Sequence, residues 1–131
     1  MKMTTISVLL AVIIIGGAII IAGNRNDANG TGTQIVNNVS VVGGKQIIEI
    51  NAKGGYAPRI TKAKANMPTI IKVDTRGTFD CSSALSIPSL GYRKNLPSSG
   101  ETLIDVPPQK SGSTIRGICA MGMYSFQINF E

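Results

Sequence analysis

Over residues 45–131, apolar and polar positions alternate in short runs that glycine and proline separate. In the last run Phe126, Ile128 and Phe130 alternate with polar residues, as expected for a strand with one face in a core. Seven or eight such runs, with turn signals at regular spacing, are typical of an antiparallel β-sandwich or barrel. None of these runs has the apolar stripe of a helix. The pattern therefore predicts an all-β domain.

The N-terminal end has a different pattern, because residues 3–22 are uncharged and predominantly apolar. A helix needs about 20 such residues to cross the hydrocarbon core of a bilayer. We therefore predict one N-terminal transmembrane helix in residues 1–23, which anchors the chain in the cell membrane. A cleaved signal peptide is the alternative, since Ala22 and Gly23 form a weak cleavage pattern. Both interpretations export the rest of the chain, so we expect a single-pass protein with an extracytoplasmic C-terminal domain.

Residues 24–44 join these two parts and are rich in Asn, Gly and Thr. A polar segment of this composition is expected to be a flexible tether between membrane and domain. Its one apolar patch, residues 39–42, is an alternative edge strand of the domain. The predicted organisation is an anchor, a tether and a β domain, in that order.

The sequence contains no histidine, and this excludes several kinds of site. It excludes His-ligated zinc, blue copper centres with two imidazoles, and nucleophiles that a histidine base activates. The strand pattern places no pair of carboxylates in a cleft, so we do not expect an enzyme. The basic residues behind the net charge of +6 are scattered and not interleaved with aromatic residues, which argues against nucleic-acid binding.

The residues with candidate chemistry lie near the C-terminus, where Cys119, Met121 and Met123 fall within five positions around a glycine. Thiolate and thioether sulfurs are soft ligands that favour Cu(I) over harder ions. The other cysteine, Cys81, lies between two strand-like runs. We predict that the fold brings it to the same point as a further metal ligand. Its neighbour Asp80 is interpreted as a solvated turn residue.

Each of these sulfur residues also has a structural interpretation. Two cysteines in an exported domain are most simply a disulfide, which would stabilise the fold by roughly 4 kcal/mol through the entropy of the closed loop. The methionines would then be core filler, since methionine packs well in irregular gaps. At this point metal binding and a disulfide are both open.

Five short motifs punctuate the domain: Gly54-Gly55-Tyr56-x-Pro58, Ala65-Asn66-x-Pro68, Gly77-Thr78-x-x-Cys81, Ile87-Pro88-Ser89-Leu90 and Cys119-x-Met121-Gly122-Met123. Together they resemble the cupredoxin-like domains of bacterial membrane-anchored copper proteins, which are also appended to heavy-metal transport and sulfite-exporter-type membrane proteins. The resemblance covers about residues 45–131, and the spaced cysteine with the last motif is its specific part. It implies a Greek-key β-sandwich with a metal site at one end. One ligand would come from the Cys81 loop and the rest from the loop joining the last two strands.

The sequence also departs from ordinary cupredoxins. A blue copper site takes two histidines and one cysteine with a weak axial methionine. In the resemblance Cys119 corresponds to that cysteine and Met123 to the methionine, whereas Met121 and Cys81 stand where the histidines would be. Such an all-sulfur set implies retention or handover of Cu(I), or of Ag(I), and not reversible electron transfer.

The expected function is therefore that of a membrane-tethered, extracytoplasmic Cu(I)-binding module for copper handling, by sequestration or delivery. The expected partners are the metal ion, the membrane through residues 3–22, and a copper transporter or an oxidase, with no nucleic acid. Two alternatives stay open. One is an electron-transfer cupredoxin with a sulfur-only site, and the other is a disulfide-stapled β-sandwich that binds another surface component.

Overall fold

The computed structural model describes residues 37–131, which form ten strands and two short 3₁₀ turns, Cys81–Ser83 and Pro88–Leu90. The strands are β1 Val39–Val42, β2 Lys45–Ala52, β3 Tyr56–Ala57, β4 Ile60–Ala63, β5 Thr69–Thr75, β6 Ala84–Ile87, β7 Tyr92–Asn95, β8 Gly100–Val106, β9 Thr114–Cys119 and β10 Ser125–Phe130. Among these residues no helix has the length and apolar character needed to span a membrane. The predicted transmembrane helix in residues 1–23 and most of the predicted tether lie outside the described residues.

The strands form two sheets, and the predicted all-β sandwich is confirmed. The first sheet has the order β1-β2-β5-β8, with β3 also paired to β2, and the second has the order β4-β10-β9-β6-β7. The pairs β2–β5 and β4–β10 are parallel, and the other pairs are antiparallel. The sheets are thus mixed and not purely antiparallel as expected. After β2 the chain crosses to the second sheet, where it forms β4, and then returns to form β5 beside β2. Because of this crossover β2 and β5 run in the same direction.

The apolar patch at residues 39–42 forms the edge strand β1, as the alternative interpretation predicted. Gly43 and Gly44 have φ values of 57° and 77°, a conformation that glycine adopts without cost, and they make the two-residue turn into β2. The side-chain amide of Asn38 donates to Thr61 Oγ1 at 2.9 Å and links this edge to the second sheet. The first sheet therefore begins within the stretch interpreted as tether.

The core takes alternate residues from both sheets, as the period of two predicted. Seven apolar inward side chains of three strands are at most 1% exposed: Ile48 and Ile50 in β2, Ile71 and Val73 in β5, and Phe126, Ile128 and Phe130 in β10. Burying one such side chain stabilises the fold by about 1.5–3 kcal/mol. The outward positions of these strands are polar or only partly buried.

Phe126 links this core to one end of the sandwich. It lies opposite Gly117 on β9, where any Cβ would overlap the phenyl ring, so the ring occupies the space that only glycine leaves free. Phe126 also packs edge-to-face against Tyr56, with ring centroids 5.2 Å apart. This contact fixes the loop after β2 at the end of the sandwich where β9 finishes and β10 begins.

Candidate metal centre

The loop that carries Cys81 is held by buried and capping hydrogen bonds. The carboxylate of Asp80 accepts a hydrogen bond from the Ser82 backbone N–H at 2.7 Å and another from the Ser82 hydroxyl, so it caps the 3₁₀ turn that Cys81 begins. Thr78, itself buried, donates through Oγ1 to the Ala52 carbonyl at 2.5 Å. The backbone on both sides of Cys81 is therefore fixed to the end of β2.

Asp80 also joins this loop to the glycine-rich loop after β2, because its second carboxylate oxygen accepts from the Gly54 N–H at 2.7 Å. These hydrogen bonds, those to Ser82 foremost, lower the pKa of the Asp80 carboxyl from its ordinary value of 3.8. Asp80 is an exposed turn residue, as interpreted. The interpretation missed that its two carboxylate oxygens hold two loops together.

Tyr56 supports the same turn from the core side. Its hydroxyl donates to the Ser82 carbonyl at 3.0 Å, and the residue is only 5% exposed. Burial, and secondarily the negative charge of Asp80, raises the pKa of Tyr56 to about 12. The phenol therefore stays protonated and acts as a hydrogen-bond donor at all physiological pH values.

The turn that carries Cys119, Met121 and Met123 is tightly hydrogen-bonded at its base. The Cys119 N–H donates to the Tyr124 carbonyl at 3.0 Å, and the Gly122 N–H donates to the Cys119 carbonyl at 2.9 Å. Gly122 has a φ of 73°, which explains why a glycine separates the two methionines. The Tyr124 N–H points back to the Cys119 sulfur at 3.4 Å. A backbone N–H in this position stabilises a thiolate when the cysteine is reduced.

The fold brings Cys81 and Cys119 together across 38 positions of sequence, with their Cα atoms 5.7 Å apart. The prediction that the two cysteines approach closely is confirmed. In this structure they are joined as a disulfide, which is the structural alternative that the sequence left open. Cys119 is 2% exposed, and Cys81 is half-buried beside it.

Met121 and Met123 lie in the same turn as Cys119 but point away from the core, since they are 78% and 65% exposed. The interpretation of these methionines as core filler is therefore wrong. Phe79, two positions before Cys81, is also 85% exposed. Single exposed apolar side chains are common on protein surfaces, and Val42, Ile60 and Leu103 are exposed elsewhere in the domain.

The candidate metal ligands at this end of the sandwich are the sulfur atoms of Cys81, Cys119, Met121 and Met123. Within residues 37–131 no group of three or more His, Cys, Asp or Glu side chains is placed to hold a metal ion. Once the disulfide is reduced, Cys81 and Cys119 offer two thiols side by side, with two solvent-exposed thioethers in the adjoining turn. This donor set fits a soft, monovalent ion and offers little to Cu(II) or to harder cations.

Comparison with known proteins gives one family and several related structures. The family model described as a cupredoxin-like domain matches residues 13–128. A solved copper binding protein in the apo form shares 25% identity with the chain, with a TM-score of 0.64, and the match covers 71% of this chain and 94% of that one. The metal-binding domain of the Cu(I)-exporting P-type ATPase CopA of Streptococcus pneumoniae, solved with Cu(I), is similar in fold at 22% identity, with a TM-score of 0.66 and coverage of 76% and 99%. No curated protein matches the chain.

The lowered pKa of Asp80 predicts how the loop responds to acid. Because the folded state holds the carboxylate ionised, the stabilisation is complete above the ordinary value of 3.8 and is lost as the pH falls through the lower, folded value. We expect the urea concentration at which half of the wild-type protein is unfolded to decrease as the pH is lowered from about 4 to about 2. The same midpoint should decrease less in Asp80→Asn. Asp105→Asn, at an exposed carboxylate on β8, is the control and should follow the wild type. An Asp80→Asn profile parallel to that of the wild type would show that the carboxylate does not fasten the two loops.

Proposed function

The chain belongs to the cupredoxin-like domain family, and from this membership we propose that it is a membrane-tethered, extracytoplasmic module that binds Cu(I) for copper handling. The observation that carries the proposal is the meeting of Cys81 and Cys119 beside a turn with two exposed methionines. The related copper binding protein supports copper as the metal. The proposed role is to retain or pass on the ion and not to catalyse a reaction.

In the proposed metal-binding form, Cys81 and Cys119 are reduced and supply two thiolates. The Tyr124 N–H, 3.4 Å from the Cys119 sulfur, would donate a hydrogen bond to that ligand. Met121 and Met123 supply neutral thioethers from the exposed turn. Together these four donors match the preference of closed-shell Cu(I), and of Ag(I), for soft ligands, and they disfavour cycling between Cu(I) and Cu(II).

The disulfide makes metal binding dependent on redox state. A disulfide sulfur carries no thiolate charge, so the oxidised pair lacks both anionic ligands. Two equivalents of a reducing thiol release the two cysteine thiols by supplying two electrons and two protons, and the reducing thiol becomes a disulfide. The same bond favours a second candidate function, a disulfide-stabilised sandwich that binds another surface component. The exposure of Met121 and Met123 favours the metal site, because a purely structural disulfide gives no reason for two solvent-facing methionines beside it.

The proposed location is based on the apolar segment at residues 3–22, which is long enough to cross a bilayer as a helix. An uncleaved anchor would hold the domain at the outer surface of the membrane. The proposed partners there are a copper transporter or an oxidase that receives the ion. The proposal does not include nucleic acid.

The metal proposal predicts selective uptake of Cu(I). The reduced protein should take up Cu(I) anaerobically, stay colourless, and bind more weakly as the pH falls, because protons compete for the thiolates. Cys119→Ser should abolish tight binding. Met121→Leu or Met123→Leu should weaken it by about tenfold, equivalent to about 1.4 kcal/mol, since leucine keeps the volume and removes the sulfur. Affinity is measured by competition with a colorimetric Cu(I) chelator.

Two controls make this competition decisive. Met67→Leu changes a methionine in the turn before β5, at the opposite end of that strand from the Cys81 loop, and should leave affinity unchanged. The oxidised protein should bind no Cu(I). Fully reduced protein that cannot compete with a moderate chelator would favour the disulfide-stabilised binding module, and a stable coloured Cu(II) form would favour electron transfer.

The membrane proposal predicts that the protein fractionates with membranes and that protease added to intact cells cuts the part of the tether that precedes β1, between residues 24 and 38. The cut should release a folded fragment that carries the β domain, because the exposed tether is cleaved before the sandwich. Recovery of a detergent-free soluble protein that lacks its first residues would show a cleaved signal peptide instead. The measurement is a mass spectrum of the released fragment.

A further inference from the structure

A groove of about 400 Å³ opens beside the turn that carries Met123. One wall comes from the segment between β2 and β4, with Lys53, Gly55 and Arg59, and the other comes from Met123 and Tyr124. Its volume lies in the range of pockets that take small molecules, roughly 300–1,000 Å³. One of the proposed Cu(I) ligands therefore lines this groove.

The charged side chains that line the groove are cations, and one carboxylate, that of Asp80, lies beside its wall at Gly54. Lys53 and Arg59 are exposed, neither is in an ion pair within residues 37–131, and none of the residues that line the groove is acidic. A third cation adjoins the groove, since a guanidinium nitrogen of Arg116 lies 3.4 Å from Ser125 Oγ on its wall. The carboxylate of Asp80, in the neighbouring loop, already accepts hydrogen bonds from Gly54 and Ser82. Unpaired cations around a concave surface attract anions.

The walls of this groove are fixed relative to the metal turn. Gly54 is hydrogen-bonded to Asp80 in the Cys81 loop. Gly55 lies against the Tyr124 ring, because a Cβ placed on Gly55 would be 3.4 Å from Tyr124 Cδ1. The Tyr124 N–H in turn lies 3.4 Å from the Cys119 sulfur. An anion held by Lys53 and Arg59 would thus sit in a groove that is directly connected to both cysteine loops.

We propose that this groove receives Cu(I) as a complex with an anionic low-molecular-weight thiol, of the class of short acidic thiol peptides. The inference rests on the proposed Cu(I) function and names the form in which the ion arrives. The carboxylates of the thiol donor form ion pairs with Lys53 and Arg59. This pairing places the donor's thiolate-bound Cu(I) next to Met123. Copper–sulfur bonds to the donor break as bonds to Met123 and the two cysteines form, and copper remains Cu(I). The cysteine thiols release protons, and the departing donor thiolate can take one up.

The test compares two Cu(I) donors of opposite charge on the full chain, reduced and in a nonionic detergent. One donor is Cu(I)–glutathione, which is anionic, and the other is the cationic Cu(I)–acetonitrile complex. Stopped-flow ultraviolet absorbance of the Cu(I)–thiolate bonds gives the loading rate. The double variant Lys53→Gln/Arg59→Gln should load about tenfold more slowly from glutathione, in the range that electrostatic steering contributes. Its loading from the cationic acetonitrile complex should be as fast as that of the wild type or faster, because the removed charges repel a cation, and its Cu(I) affinity should match the wild type.

Lys45→Gln is the matched control, since this exposed lysine begins β2 at the opposite end of the strand, roughly 20 Å from the groove. It should load from both donors as the wild type does. Added salt should slow wild-type loading from glutathione and reduce the difference from the double variant, because exposed charges are screened. Equal rates for the wild type and the double variant with glutathione, or an equal loss with both donors, would overturn the groove inference while leaving Cu(I) binding intact. Failure to load from either donor would instead overturn the proposed function and this inference with it.

Discussion

The Asp80 carboxylate and the loops that it joins are the constraint on which the candidate site depends. One oxygen caps the turn that begins at Cys81 and the other holds Gly54, while Tyr56 reaches the same turn from the core. These contacts shape the segment between β5 and β6, and the pairing of β6 with β9, with Leu85 opposite Cys119, places that segment beside Cys119. The 5.7 Å separation of the two cysteine Cα atoms is therefore a property of the loop network as much as of the sandwich.

That separation allows two chemical states with little change of backbone. It lies within the usual range for disulfides, about 4.4–6.8 Å, and it also places two reduced thiols side by side. Which state is populated depends on the redox environment and on available metal, because Cu(I) bound to the thiolates would protect them from oxidation to the disulfide. In the proposed metal-binding state the exposed Met121 and Met123 would add two sulfur ligands, whereas they would have no part in the disulfide state.

The sequence predicted those parts of the structure that depend on local pattern. The alternation in β2 and β10 predicted the inward-facing Ile48, Ile50, Phe126 and Ile128, because period two assigns each residue to one face. The parallel pair β2–β5 could not be predicted in this way, since it depends on a crossover through the other sheet. Proximity of the two cysteines was predictable only from their chemistry and from the family resemblance.

The roles of single polar residues were harder to predict. Asp80 is followed two positions later by Ser82, and an Asp before a short turn is a capping signal that was available in the sequence. Its bond to Gly54 was not, because it spans 26 positions. The same holds for the groove, whose cations and methionine come from distant segments that only the fold brings together.

The most direct test of a sulfur-only Cu(I) site is the X-ray absorption spectrum at the copper edge of the reduced protein, loaded anaerobically. A site built from Cys81, Cys119, Met121 and Met123 predicts an edge typical of Cu(I) and sulfur as the only element bonded to copper. Replacing both methionines with leucine should lower the number of bound sulfur atoms without bringing in nitrogen. A Cu(II) edge, or nitrogen and oxygen as the main ligands, would contradict the assignment of copper to these four residues.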